Sequence, residues 1–271
     1  MKIATWNVNS IRARLDRVFA WTERERPDVL CMQETKVPDE DFPVSRFADL
    51  GYRVETYGQR GYNGVAILSL KPLTRIERGL PGDGPDAHRR LIAASVGGVG
   101  GIRVVNVYVP NGQSPESEKF VFKLEWLARL RDYLKTELEE PEAPLLLLGD
   151  FNIAPDDRDV HDPDLWRGRI HFHPSEHRAL ARIQTLGLHD LFRKHHEEGG
   201  FYSWWDYRAL AFPRNHGLRI DLMLGTRPVL DRCKSCVLHR DERKGENPSD
   251  HVPAVAEIAP KRRPAKKKAA V

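Results

Sequence analysis

Short runs of apolar residues recur along this chain with the length and branching of buried strands: Lys2–Trp6, Asp28–Met32, Gly64–Ser69, Leu91–Val96, Ile102–Val109, Leu145–Gly149, Arg219–Leu224 and Val252–Ile258. The glycine-rich stretch 97–101 separates two of these runs and reads as a hairpin turn. A strand rather than a helix follows it, so it is not a dinucleotide-binding fingerprint. Three segments instead repeat apolar residues every three to four positions. The first opens at Ser10 as N-cap, carries Ile11, Leu15, Val18, Phe19 and Thr22 on one face and stops before Pro27. The second spans 117–139 with Phe120, Leu124, Leu127, Leu134 and Leu138 as its stripe. The third runs from Ser175 as N-cap through Leu180, Ile183 and Leu186 to Gly187. Strands joined by hairpins, with long helices between some of them, predict stacked sheets flanked by helices.

With 271 residues, 40% of them hydrophobic, the chain suits one large α/β domain, expected over 1–259. No 18-residue apolar run suggests a membrane span, and the apolar part of the N-terminus is too short for a signal peptide. Cys31 reads as a core filler, and the single Cys233/Cys236 pair has no second pair or histidine run to complete a zinc site. That usage fits a reducing cytosol. The net charge of +4 is concentrated at one end. Residues 261–271 hold six of the 43 Lys and Arg and no acid, leaving 37 basic against 39 acidic residues elsewhere, a body near −2. A nucleic-acid surface on that body must therefore be a local patch. The segment 260–271 is expected to be a disordered basic arm that adds non-specific attraction to a phosphate backbone.

The polar residues at the strand ends change the picture most. Asn7 and Asn9 follow the first strand, and Glu34 follows the second. Tyr108 and Asn111 close the Ile102 strand, and Asp150 and Asn152 follow Leu145–Gly149. Asp221 lies in the Arg219 strand, and Asp250 and His251 precede the last one. Singly, each has an ordinary reading as a strand-end cap, a surface salt bridge or an Asx turn before Pro155. Six apolar strands all ending this way do not. Carboxylate and amide oxygens suit a hard cation such as Mg²⁺ or Mn²⁺. A histidine beside an acid, with a distant aspartate to orient it, suits a proton relay or a transition-state donor. No nucleophile elbow occurs, so water beside a metal is the simpler nucleophile.

The segments carrying these residues are Thr5–Ser10, Leu30–Lys36, Asn106–Asn111, Leu148–Asn152, Tyr202–Arg208, Gly217–Asp221 and Pro248–His251. In that order they resemble the exonuclease III branch of the endonuclease/exonuclease/phosphatase superfamily, over nearly the whole chain except the tail. The Trp204-Trp205-Asp206-Tyr207 and Gly217–Asp221 segments, with Pro81-Gly82-Asp83 and Arg89-Arg90, narrow the resemblance to DNA-repair members. It implies a four-layer αββα sandwich, two packed mixed β-sheets flanked by helices. It also implies a metal-dependent DNA phosphodiesterase of base excision repair. Such an enzyme cleaves 5′ to abasic sites, removes 3′ blocking groups and nucleotides, or both.

By the same resemblance Glu34 is the principal metal ligand, with Asn7 and Asp250 near it and Asp150, Asn152 and His251 in the same set. The cofactor is Mg²⁺, with Mn²⁺ as alternative. Asp150 orients or deprotonates the attacking water and Asn152 helps to hold it. His251, oriented by Asp221, donates to the oxygen gaining charge, and Tyr108 and Asn111 contact the scissile phosphate. Trp204, Leu218 and Ile220 match an apolar pocket for a flipped-out abasic sugar, a strand in the core being the ordinary alternative. Lys36, Arg89 and Arg90 are candidate cationic contacts. The stretch Asp156–His173 departs from the pattern and borders the DNA groove. His171 and His173 have no further ligand spaced for zinc. The expected partner is double-stranded DNA with abasic or 3′-damaged sites, bound by a cytoplasmic, nucleoid-associated monomer without a membrane. A superfamily member acting on inositol-phosphate or lipid head groups would lack the Trp-Trp-Asp-Tyr segment. A non-catalytic DNA binder would have lost one of Glu34, Asp150, Asn152, Asp221 or His251.

Overall fold

Strands that are apolar on both faces must be covered on both faces, and here two six-stranded sheets stack with helices outside each. The computed structural model describes residues 1–98, 101–140 and 143–261. In chain order the first half runs β1 (Lys2–Asn7), α1 (Ile11–Glu25), β2 (Val29–Gln33), α2 (Val44–Asp49), β3 (Arg53–Tyr57), β4 (Val65–Ser69), β5 (Leu73–Arg78), β6 (Leu91–Val96) and β7 (Ile102–Tyr108). The second half runs α3 (Glu118–Glu137), β8 (Leu145–Asp150), α4 (Pro163–Trp166), α5 (Pro174–Gln184), β9 (His189–Asp190), β10 (Asp221–Gly225), α6 (Arg227–Leu230), β11 (Cys233–Leu238) and β12 (Ala254–Ile258).

The first sheet has the order β11-β12-β1-β2-β4-β3 and the second β5-β6-β7-β8-β10-β9. Both are mixed, each with a parallel pair near its centre, β1 with β2 and β7 with β8. Ile3, Val29, Ile67, Val104, Leu146 and Met223 fill the space between the sheets. Trp6, Trp21, Leu30 and Phe47 join α1 and α2 to the outer face of the first, while Trp126, Leu130, Leu147 and Leu180 join α3 and α5 to the second. This is the expected αββα sandwich. No helix among the described residues is long and apolar enough to cross a membrane.

One polar bridge crosses the apolar interior. Gln33 Nε2 donates to Thr5 Oγ1 (2.8 Å) and Asn106 Oδ1 (2.6 Å), and Asn106 Nδ2 donates to the carbonyls of Met32 and Ala66 (3.0 Å each). Buried amides are costly unless paired, so this bridge fixes how the sheets sit over one another just behind β1 and β2.

All four edge strands, β3, β5, β9 and β11, escape the hydrophobic pattern. Their exposed faces carry charge, as in Arg53, Arg75 and Lys234, which protects a sheet edge and hides the strand. The hairpin around 97–101 does join β6 to β7, although residues 99 and 100 lie outside the described set. The third helix begins earlier than Ser175. His173 is its N-cap, its ring accepting from the Ser175 N–H while Glu176 returns to the His173 N–H, with Pro174 at the first helical position. The Arg219 strand starts only at Asp221, because Arg219 is buried against Asp159 and Asp190. Cys233 and Cys236 lie on β11 as buried free thiols in the inter-sheet core. The expected basic arm, apart from Pro260 and Lys261, falls outside the described residues.

Candidate active site

The parallel pairs point their C-terminal ends the same way, and the sheet stack brings those ends together. Asn7, at the end of β1 and fully buried, donates through Nδ2 to Glu34 Oε1 (3.0 Å) and, across the sheets, to Asp150 Oδ2 (2.9 Å). Glu34 follows β2, and its carboxylate also pairs with Lys36 Nζ at Oε2 (2.7 Å), with the Tyr108 side chain from the end of β7 close by. Asp150 ends β8. Its Oδ1 accepts the Asn152 N–H (2.8 Å), the Asx turn that the sequence suggested, and its Oδ2 accepts Asn152 Nδ2 (3.2 Å). Gly149 makes this approach possible. A side chain there would sit 1.9 Å from the Val107 carbonyl, at φ +138°.

Non-glycine residues in the left-handed region gather at this place: Asn9, Ser10, Glu34, Lys36, Asn152 and His171, with φ from +43° to +85°. Such backbone costs about 1–3 kcal/mol per residue and persists only where the surroundings force it. It aims these side chains inward.

His251 lies on the far side of Asp150. Its Nδ1 is 2.8 Å from Asp221 Oδ2 and its Nε2 is 3.7 Å from Asp150 Oδ2. The backbone holds the ring in place: Trp6 Nε1 donates to the His251 carbonyl, and Ser249 Oγ accepts the His251 N–H while donating to the Asn7 carbonyl. Ser203 Oγ likewise accepts the N–H groups of Ile220 and Asp221. Sequence reasoning singled out neither serine, since a buried hydroxyl of this kind carries no pattern of its own.

Burial and crowding set the charges. Burial, the nearby Asp221 and Glu34 push Asp150 up to about 7, against the pull of His251 and the Asn7 amide. Burial opposes a charged His251, but Asp221 and Asp150 outweigh it and raise the ring to about 10. Burial likewise opposes an ionised Glu34, yet Lys36, Asn7 and Tyr108 bring it below the ordinary carboxylate value. Tyr108 is driven well above its usual value by burial and by Glu34 and Asp150, so its hydroxyl stays protonated. At neutral pH His251 is thus a charged donor and Asp150 sits at the edge of ionisation.

A raised acid has a stability signature. The unfolded chain releases this proton near 3.8 and the folded protein only near 7, so the stability it contributes is present below the first value and lost as pH rises through the second. Asp150→Asn, which stays neutral, should therefore raise the melting temperature of the chelator-treated protein above pH 7 by about 3–6 °C. Scanning calorimetry at pH 4 should show no such gain. A variant destabilised at pH 8 would mean that the charge is fully compensated in the fold.

The remaining expected residues divide. Asn111 Nδ2 donates to Asn152 Oδ1 (3.2 Å) and lies 3.4 Å from His171 Nε2. Arg90 stacks its guanidinium 4.7 Å over the Tyr108 ring and donates to the Tyr108 carbonyl, whereas Arg89 stacks on Tyr57. Lys36 spends its ammonium on Glu34 and Asn9 Oδ1. Asp250 does not join the Glu34 group, because Asn9 Nδ2 and Trp204 Nε1 occupy its two oxygens. Leu218 and Ile220 are core positions rather than walls of an open pocket, packed with Ala154, Val160 and Phe172. Of that expected pocket only Trp204 is half-exposed, and the ring of His171 fills the space beside it. His171 lies 6.2 Å from Trp204 and 6.3 Å from Trp166, with Nδ1 on the Asn152 carbonyl (2.8 Å). Burial and Lys123 push that ring down to about 3, so it is neutral.

The donor set fits a hard divalent cation. Glu34 and Asp150 offer carboxylate oxygens joined through the Asn7 amide, and one ligand atom each from Asp150, Asp221 and His251 falls within 4.8 Å of the others. The buried Asp221 Oδ1 has no hydrogen-bond partner, as an oxygen kept for another ligand would not.

The profile of the Endonuclease/Exonuclease/phosphatase family matches residues 4–251. The chain is 39% identical to an exodeoxyribonuclease III of Haemophilus influenzae, covering 95% of this chain and 100% of the relative. It superposes on the 3′ phosphatase NExo from Neisseria, solved with a product DNA hairpin, with TM-score 0.92 and 40% identity over 96% of this chain and 99% of the other. An AP endonuclease from Archaeoglobus fulgidus gives TM-score 0.89 and 42% identity over 95% and 99%.

Proposed function

This chain belongs to the Endonuclease/Exonuclease/phosphatase family, and from that premise we propose that it is a DNA-repair nuclease of exonuclease III type that hydrolyses phosphate esters with a divalent metal. The observation that carries the reading is the line Asp221–His251–Asp150–Asn7–Glu34, in which one buried carboxylate lies between an imidazolium and a candidate cation site. A bound Mg²⁺ or Mn²⁺ at Glu34 and Asp150, with the Asn7 amide between them, would neutralise phosphate charge and acidify a water. Asp150 takes the proton of the attacking water. His251, held in one orientation by Asp221, donates from Nε2 to the phosphate oxygen that gains charge. Tyr108 adds a second donor, a neutral one, and Asn111 and Asn152 orient phosphate and water through their amides. Preorganised donors in a buried site are worth far more than the same groups in water.

Among substrates, the geometry favours damaged or blocked 3′ ends over an extruded abasic sugar. Leu218 and Ile220 are sealed in the core and His171 fills the space by Trp204, so a flipped sugar has to displace a buried ring. The partner is duplex DNA, bound by a monomer in the cytoplasm near the nucleoid. A gel comparing a duplex with a 3′-phosphate and a duplex with an abasic site, with and without EDTA, tests this. Both cleavages should need metal, and the 3′-phosphate should be removed faster. His171→Gly, compatible with φ +72°, should raise abasic-site cleavage at least about tenfold by opening the space. An unchanged rate in that variant would acquit His171 as the barrier.

A further inference from the structure

Beneath Asn111 and Asn152 lies a buried charge that the reaction as described does not use. Lys123, on the inner face of α3, has no exposed surface. Its ammonium has three hydrogens and three acceptors: the carbonyl of Asn111 (3.1 Å), the carbonyl of Asn152 (2.7 Å) and Glu176 Oε1 from α5. Glu176, also fully buried, accepts in turn the N–H groups of His171 (3.3 Å) and His173 (2.9 Å). One ion pair thus ties together the loop after β7, the turn after β8, the segment before α5, and both outer helices. The lysine stem is fixed as well. Gly112, at φ +94°, passes so close that a side chain there would lie 2.8 Å from Ile170 Cδ1 and 3.1 Å from Lys123 Cδ.

Stability alone gives no reason to keep such a pair. Taking two charges out of water cancels most of their attraction, and apolar replacements are often as stable. Burial pulls the lysine pKa down, Glu176 holds it up, and the ammonium spends two of its three hydrogens on the backbone of the very asparagines that face the substrate. A carbonyl held from behind fixes the side chain in front of it.

We propose that Lys123 is a positioning residue of the hydrolysis, its ammonium holding Asn111 and Asn152 at the spacing at which their amides meet phosphate and water. The proposal rests on the roles given to those asparagines above. Lys123 touches no reacting atom and acts only through them, with Glu176 as the counter-charge that allows it to remain in the core.

Removing the lysine alone would strand Glu176, so the test removes both charges. Lys123→Met/Glu176→Gln keeps the side-chain volumes and retains an acceptor for the His173 N–H. Its melting temperature and its affinity for a duplex bearing a non-hydrolysable phosphorothioate end should stay close to wild type, with KM changed less than about threefold. Its kcat should fall about 10–100-fold, the penalty for reacting groups misplaced by a fraction of an ångström. Glu176→Gln alone strips the buried ammonium of its counter-charge and should lower kcat to a similar degree. The side-chain amide resonances of Asn111 and Asn152 in the metal-free, substrate-free protein give a second readout. They should shift and exchange faster in both variants. A folded double variant with wild-type kcat, or with unmoved amide resonances, overturns the proposal. So does a kcat loss that comes with equal losses of stability and DNA affinity. If the wild-type protein itself shows no metal-dependent hydrolysis, the functional reading fails, and the amide resonances alone decide the positioning role.

Discussion

His251→Ala is expected to lower kcat by about 10²–10⁴-fold while duplex DNA binds within about threefold of wild type. The ring sets its Nε2 3.7 Å from Asp150 Oδ2 and its Nδ1 2.8 Å from Asp221 Oδ2. With its pKa raised to about 10 it is charged through the neutral range, so it offers a full positive charge where the phosphate gains a negative one. Alanine removes that charge and leaves Asp221 buried beside an empty space. Asp150→Asn should lose activity to a similar degree for a different reason: an amide cannot take the water's proton. Because both act in one step, the double variant should be little worse than either single one. Single-turnover kinetics with saturating enzyme separate these effects from binding. A His251→Ala protein within threefold of wild-type kcat would remove the imidazolium from the reaction.

The second large effect belongs to Glu34. Its carboxylate gathers Asn7, Lys36 and Tyr108, and burial makes an unpaired charge there expensive. A cation can take the place of the Lys36 contact on Oε2, which leaves the lysine free for a phosphate. Glu34→Ala should therefore shift the Mg²⁺ concentration for half-maximal activity upward by at least about 10–100-fold, the range seen when even outer partners of a metal are removed. Part of the lost activity should return at high Mg²⁺. A variant with low activity and an unshifted Mg²⁺ titration would make Glu34 a binding group for something other than the metal.

Much of this site could be read from the chain because its residues close the central strands, and central strands are the ones that hydrophobic patterning reveals. Asn7, Glu34, Tyr108 and Asp150 each end a run of apolar residues, and the parallel pairs of the two sheets bring them to one place. What patterning missed has physical reasons. Edge strands such as β5 and β11 are charged on their open side and lose the apolar signature. Lys123 and Glu176 look like solvated positions of amphipathic helices, since a buried ion pair has the same letters as an exposed one. His171 sits in a stretch without a recognisable motif, and only its left-handed backbone and the two neighbouring tryptophans show what it occupies. Leu218 and Ile220 illustrate the converse. An apolar pair flanking an arginine fits a pocket wall and a core strand equally well, and only burial separates them.

The central claim is that water, activated beside a divalent metal, attacks phosphorus. It is tested most directly by letting the protein act on a duplex with a 3′-phosphate in ¹⁸O-enriched water and weighing the released inorganic phosphate. Hydrolysis at phosphorus with Mg²⁺ present predicts one ¹⁸O atom in each phosphate formed, and no release when EDTA is in excess. Unlabelled phosphate, which would require the carbon–oxygen bond to break instead, or undiminished release in EDTA, would contradict the account.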